Sequence, residues 1–129
     1  MNKNNEYIAY QGTEFTIEWY YDDKSKSEAL DYYCSLTKNE RIQLLKLFKR
    51  MGDVGQIMNK TKFRSEGDKI FAFKPQPDRF LCFFYDGKKI IVTNGFRKKQ
   101  DKLPPLEKQR AWKKRSDFIN RLEAGDYYE

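Results

Sequence analysis

The chain contains no histidine. That absence removes the Ser-His-Asp triad, the Cys-His dyad, the HExxH zinc site and histidine-based ribonuclease chemistry, all of which need an imidazole titrating near neutral pH. Acid–base work must fall to Lys, Tyr, Asp, Glu or Cys. Cysteine is scarce too: Cys34 and Cys82 stand far apart, in no CxxC spacing. Both are expected to be buried, reduced core residues rather than a disulfide or a metal site. No apolar run approaches the roughly 20 residues of a membrane span, and no signal-peptide pattern opens the chain. The expectation is a soluble, cytoplasmic protein with no membrane partner. The carboxylates have no metal-like spacing, and Gly52-Asp53-Val54-Gly55 lacks the Gly-Lys-Ser/Thr that completes a phosphate loop. There is no internal repeat and no low-complexity tract.

What is present is charge and aromatic side chains. Among 129 residues, 35% are charged and 16% aromatic, with a formal net charge of +7. That balance calls for an anionic partner, nucleic acid being the commonest; solubility charge and an acidic partner protein are the other readings. The length fits a single domain over 1–129, with a loose segment at 1–12, its first five residues polar, and an acidic, aromatic tail at 126–129.

The stretch 69–99 reads as three consecutive antiparallel strands, at about 69–74, 79–85 and 89–96. Asp86-Gly87 joins the last two, since both central residues of a tight hairpin turn need positive φ. Pro75-Gln76-Pro77-Asp78 joins the first two, because proline cannot continue a ladder. The middle strand is apolar on both faces, Phe80, Cys82 and Phe84 on one and Leu81 and Phe83 on the other. A strand of that kind is central and covered on both sides.

Upstream, 14–21 alternates as a half-buried strand, with Phe15, Ile17, Trp19 and Tyr21 inward. Ser25 with Glu28, and Thr37 with Glu40, form two capping boxes that open consecutive helices. The second carries Ile42, Leu44, Leu45, Leu47, Phe48 and Met51 as an apolar stripe and stops at Gly52. Segment 52–68 reads as looser chain. Pro104-Pro105 starts a final helix that ends at Gly125. The order β-α-α-β-β-β-α predicts an α+β fold: a small antiparallel sheet with a helical hairpin packed on it.

Two constellations carry chemistry. Lys62, Arg64, Lys74, Arg79, Lys98 and Lys99 sit at the ends of neighbouring strands, with Phe63 and Tyr85 among them. Cations interleaved with flat rings suit RNA, because charges hold phosphates while rings stack on splayed bases. The alternative is a solvated rim, and for Tyr85 a structural strand tyrosine. The second is the basic face of the last helix, Lys108 to Arg115, which reads as exposed helix before it reads as a phosphate-docking surface.

Lys60-Thr61-Lys62-Phe63-Arg64, Ile70-Phe71-Ala72-Phe73-Lys74, Arg79 leading Phe80 to Phe84, Lys89-Ile90-Ile91, Asn94-Gly95-Phe96, and Lys98-Lys99 followed by Pro104 and Glu107 occur in that order. In this run the chain resembles the RelE/ParE-superfamily toxins of type II toxin–antitoxin systems, in their phage-derived, HigB-like branch. The resemblance covers roughly the second half closely and implies a RelE-like fold. It further implies a toxin silenced by a cognate antitoxin, acting as a ribosome-dependent, metal-independent mRNA endoribonuclease that needs no cofactor and inhibits translation. Carried over position by position, it places Lys74 and Arg79 at the scissile phosphate, with Tyr85 stacking or donating a proton. Lys98 and Lys99 would contact message or ribosomal RNA, as would Lys62 and Arg64. Lys74 stands where many relatives have arginine, which removes a bidentate fork but keeps the charge. A ParE-like gyrase inhibitor and a non-enzymatic RNA- or ribosome-binding relative share the same features.

Overall fold

The computed structural model describes residues 6–100 and 102–128. The polar 1–5 segment, expected to be loose, lies outside them, as do Asp101 of the basic link and Glu129 of the tail. Among the described residues, six strands and three helices make an α+β fold: β1 (Ile8–Gln11), β2 (Thr16–Trp19), α1 (Glu28–Ser35), α2 (Lys38–Val54), β3 (Phe63–Ser65), β4 (Phe71–Phe73), β5 (Asp78–Tyr85), β6 (Lys89–Arg97) and α3 (Pro105–Glu123).

The strands form one sheet in the order β1-β2-β6-β5-β4-β3. The meander β4-β5-β6 is as expected, and the Asp86-Gly87 joint has positive φ at both residues, 58° and 67°. Two strands add to the expected set. Residues 8–11, expected loose, pair with β2 as an edge strand, and Phe63–Ser65 pairs with β4 inside the segment expected to be irregular. Both are too short to show a period. The sheet is also mixed rather than antiparallel, because β2 lies parallel to β6, Ile17 beside Ile90 and Trp19 beside Val92. A parallel neighbour needs a long crossover, and the helical hairpin together with β3–β5 supplies it.

α2 covers one face. Phe48 sits 5.6 Å from Trp19 and 4.9 Å from Phe73, ring centre to ring centre. α3 covers the other, with Phe118 edge-on to Phe83 and Tyr85. The Thr37–Glu40 capping box forms with both reciprocal bonds, but the first helix is capped by Ser27, whose hydroxyl accepts from the Leu30 amide, instead of by Ser25. α2 runs past Gly52 to Val54 and is closed by Gly55 at φ 88°. Gly52 is a close-approach glycine: a Cβ added at Gly12 would lie 2.2 Å from its carbonyl carbon, and one at Gly52 2.7 Å from the Tyr10 ring. The apolar stripe is narrower than expected, since Leu44, Phe48 and Met51 are buried while Ile42 and Leu45 face solvent. Cys34 is exposed, not buried, on the outer side of α1; Cys82 is buried as expected.

β2 is buried on both faces, because it lies between β1 and β6 with the tail over it. Glu18, expected outward, is 2% exposed and is held by Lys89 at 3.1 Å and by the Tyr128 hydroxyl at 2.7 Å. Tyr127 is buried too, stacked 4.3 Å from Tyr21 and set edge-on 4.6 Å from Phe118. The aromatic tail is thus the plug that closes the α3 face of the sheet.

Candidate functional site

Alternation along the strands gathers the cations. Phe71 and Phe73 point to the α2 face, so Ala72 and Lys74 point to the other. Arg64 pairs with Ala72, Phe73 with Phe80, and Arg79 with Phe96. Arg64, Lys74 and Arg79 therefore share the α3 face, in neighbouring strands, at the end of the sheet where α3 begins. There they line one cleft with Phe96, Lys98, Lys99, Lys102 and the start of α3 at Leu103-Pro104. Among the described residues six cations line it against one carboxylate, Glu66. The positive end of α3 adds to the same potential.

Each cation is held differently. Arg79 is 7% exposed, and one guanidinium nitrogen donates to the Asp78 carbonyl at 3.0 Å and to Gln76 Oε1 at 3.3 Å. Lys74 Nζ reaches the Lys60 carbonyl at 3.4 Å. Burial first, then Arg64 and Arg79, push the Lys74 amine below its ordinary range; Lys98 adds to this and Glu66 opposes it. Arg64 pairs with Glu66 at 3.2 Å, which keeps that carboxylate at the cleft wall. The enclosed space is about 20 Å³. That innermost space is large enough for a water-sized group such as a phosphate oxygen.

Of the expected site residues, Arg64, Lys74, Arg79, Lys98 and Lys99 come together. Lys62 is adjacent, its carbonyl accepting from the Lys74 amide at 2.7 Å, but its side chain does not line the cleft. Tyr85 is not there. It lies at the far end of β5, six residues or roughly 20 Å from Arg79, with its ring against Phe118 at 5.2 Å. It is half-buried against α3 and does not line the cleft. The basic helix face is largely satisfied internally: Lys108 pairs with Asp68 at 2.8 Å, Lys114 with Glu28 at 2.9 Å, and Arg110 with Glu28 and Glu107. Lys114 is half-buried, and burial with Arg110 beside it brings its amine down to about 8. Arg97, another rim cation, is bound by Glu40 at 2.7 Å and by the buried Asp78 at 3.4 Å.

Glu66, Phe96 and Lys102 share the cleft without having stood out as site residues in the sequence, because none repeats at a strand period with the others. The Asn94-Gly95-Phe96 element now has a physical reading. β6 bulges at Thr93, since Leu81 faces Asn94 while Cys82 faces Val92. The bulge turns Asn94 toward α3, where its amide donates to the Glu107 carboxylate at 2.9 Å and fixes the helix start beside the cleft. Gly95 leaves room for Phe80 and Tyr32, which an added Cβ would meet at 2.7 and 2.8 Å. Phe96 supplies the apolar wall. Among the described residues no three acidic or thiol groups converge as metal ligands, and no helix is long and apolar enough to cross a membrane.

A buried guanidinium beside an amine of lowered basicity can do two things with an anion: neutralise it, and accept a proton from a group attached to it. No curated protein matches the chain. The family model described as "Phage derived protein Gp49-like (DUF891)" matches residues 31–116, more than half of the chain and all of the cleft. The chain belongs to the phage-derived Gp49-like family.

Proposed function

We propose that the protein is the toxin of a type II toxin–antitoxin system, cutting messenger RNA on the ribosome and held silent by a cognate antitoxin. The observation that carries this reading is the cleft itself: Lys74, with its amine held below its ordinary basicity, lines it together with the buried Arg79 and four further cations, with room among them for a phosphate oxygen. Membership of the phage-derived family supports it, as does the net charge of +7.

Cleavage is an internal transesterification. Neutral Lys74 accepts the proton of the 2′-hydroxyl, and the 2′-oxygen forms a bond to phosphorus as the bond from phosphorus to the 5′-oxygen breaks. Arg79 meets the negative charge that builds on the phosphorane oxygens. Lys98, in the same cleft, returns a proton to the departing 5′-oxygen, so the products are a 2′,3′-cyclic phosphate and a free 5′-hydroxyl. Arg64, Lys99 and Lys102 hold the flanking phosphates. Tyr85 has no part in the chemistry.

The test replaces Lys74 and Arg79 separately by alanine and measures message cleavage and growth arrest, with thermal melting as the check on folding. Each variant should lose activity, Arg79→Ala by about 100- to 1,000-fold, as for other single oxyanion donors. Intact cleavage in both folded variants would refute the assignment. Loss of DNA supercoiling in place of message cleavage would make the protein a gyrase inhibitor.

A further inference from the structure

The cation cleft offers charge for phosphates, and a single-stranded substrate brings a base attached to every phosphate. Beside the cleft lies a second hollow with the opposite character. Pro105, Lys108, Gln109, Trp112 and Lys113 line it from α3, and Asp68 closes it from the β3–β4 turn. Those α3 positions fall at i, i+3, i+4, i+7 and i+8, so they form one continuous helix face. The space is about 520 Å³ and opens widely to solvent. Trp112 is 48% exposed, an unusual state for an indole in a chain whose other tryptophan, Trp19, is 4% exposed. Its place in the hollow is not that of a core residue.

The two hollows are lined by residues that are near neighbours in the chain. Gly67, Asp68 and Lys69 all take positive φ, which turns Asp68 outward onto Lys108 at 2.8 Å. Glu66, one residue before that turn, lines the cleft, and Pro104, one residue before Pro105, lines it too. From Pro104 to Trp112 is eight helical residues, roughly 12 Å along the axis, so a nucleotide neighbouring the scissile phosphate reaches the indole.

We propose that Trp112, flanked by Lys108 and Lys113, is a base-stacking subsite for single-stranded RNA that takes a nucleotide next to the one cut in the cleft. The inference rests on the proposed function and names how its substrate is held. An aromatic ring between lysines, next along the chain to a cation-lined cleft, is the arrangement by which proteins grip single strands without reading their sequence. A protein partner would use the neighbouring apolar surface, but Leu106, 65% exposed on the same helix, does not line the hollow.

The test uses the full chain and a fluorescently labelled 2′-O-methyl oligoribonucleotide, which binds without being cut, and reads anisotropy at low salt. Trp112→Ala should weaken binding roughly 5- to 150-fold, the span measured for one base–aromatic stack, while Trp112→Phe keeps most of it. The salt slope should not change, since no phosphate contact is removed. Tryptophan fluorescence should fall on binding in the wild type and not in Trp112→Phe. Equal affinity of Trp112→Ala and wild type, with Arg64→Ala weakened, overturns the stacking site and leaves the proposed function standing. Failure of the wild type both to bind this RNA and to cut message ends both. Intact RNA binding by Trp112→Ala, with loss of an antitoxin complex, also overturns it and makes Trp112 a protein contact.

Discussion

Replacing Tyr127 by alanine tests whether the last residues belong to the fold. The side chain is 1% exposed, stacked on Tyr21, edge-on to Phe118, and covered by the Arg121 guanidinium 4.7 Å from its ring centre. Its hydroxyl also accepts from the Tyr21 amide at 3.2 Å. Truncating a buried aromatic ring to alanine costs about 3–5 kcal/mol in transfer and cavity terms. Against a typical total of about 5–15 kcal/mol this is a large share. For a chain of this size it lowers Tm by roughly 10–25 °C. Tyr127→Phe keeps the ring and removes one acceptor, so it should cost about 1 kcal/mol. Urea unfolding at equilibrium gives both numbers, with an unchanged m-value showing that the same surface is exposed. Because the plug sits at the Tyr85 end of the sheet, RNA affinity of the folded variant should match the wild type. A Tyr127→Ala loss below about 1 kcal/mol would refute the plug, since it would mean that the cavity term is absent.

Two further outcomes follow from the geometry. Cleavage should rise with pH as Lys74 loses its proton, with an apparent pKa below that of an ordinary lysine, because burial and the neighbouring arginines disfavour its charged form. Arg64→Gln removes one of those like charges while Glu66 remains, so it should move the rise to higher pH; an unmoved or lowered midpoint in the pH–rate profile would contradict the assignment of Lys74 as base. Gly12→Ala drives a methyl group into the Gly52 backbone, with its Cβ 2.6 Å from the Gly52 Cα, and should cost about 1–3 kcal/mol or more in a urea titration; a neutral substitution would show that the contact between the β1–β2 turn and α2 is loose.

The sequence held the middle of the molecule openly and its margins poorly. The meander was legible because Asp86-Gly87 and the prolines at 75 and 77 punctuate long apolar runs, and the Thr37–Glu40 box because capping is local chemistry. β1 and β3 were not legible, being four and three residues long and stabilised by pairing. The parallel pairing of β2 with β6 depends on a crossover, which leaves no local signature. In the site, period-two alternation brought Arg64, Lys74 and Arg79 to one face, so the cluster could be anticipated from strand ends. Tyr85 shares that face but stands at the other end of β5, against Phe118, and nothing in the sequence says where α3 will lie. Arg97 looks in sequence like Lys98, but Glu40 and the buried Asp78 bind it, and it does not line the cleft.

The most direct measurement incubates the purified protein with a defined message, with and without translating ribosomes, and maps the new ends. Cuts are expected only when ribosomes are translating, each leaving a 5′-hydroxyl and a 2′,3′-cyclic phosphate, and none from a folded Lys74→Ala variant. Intact message under both conditions, from protein shown to be folded, would contradict the proposed function.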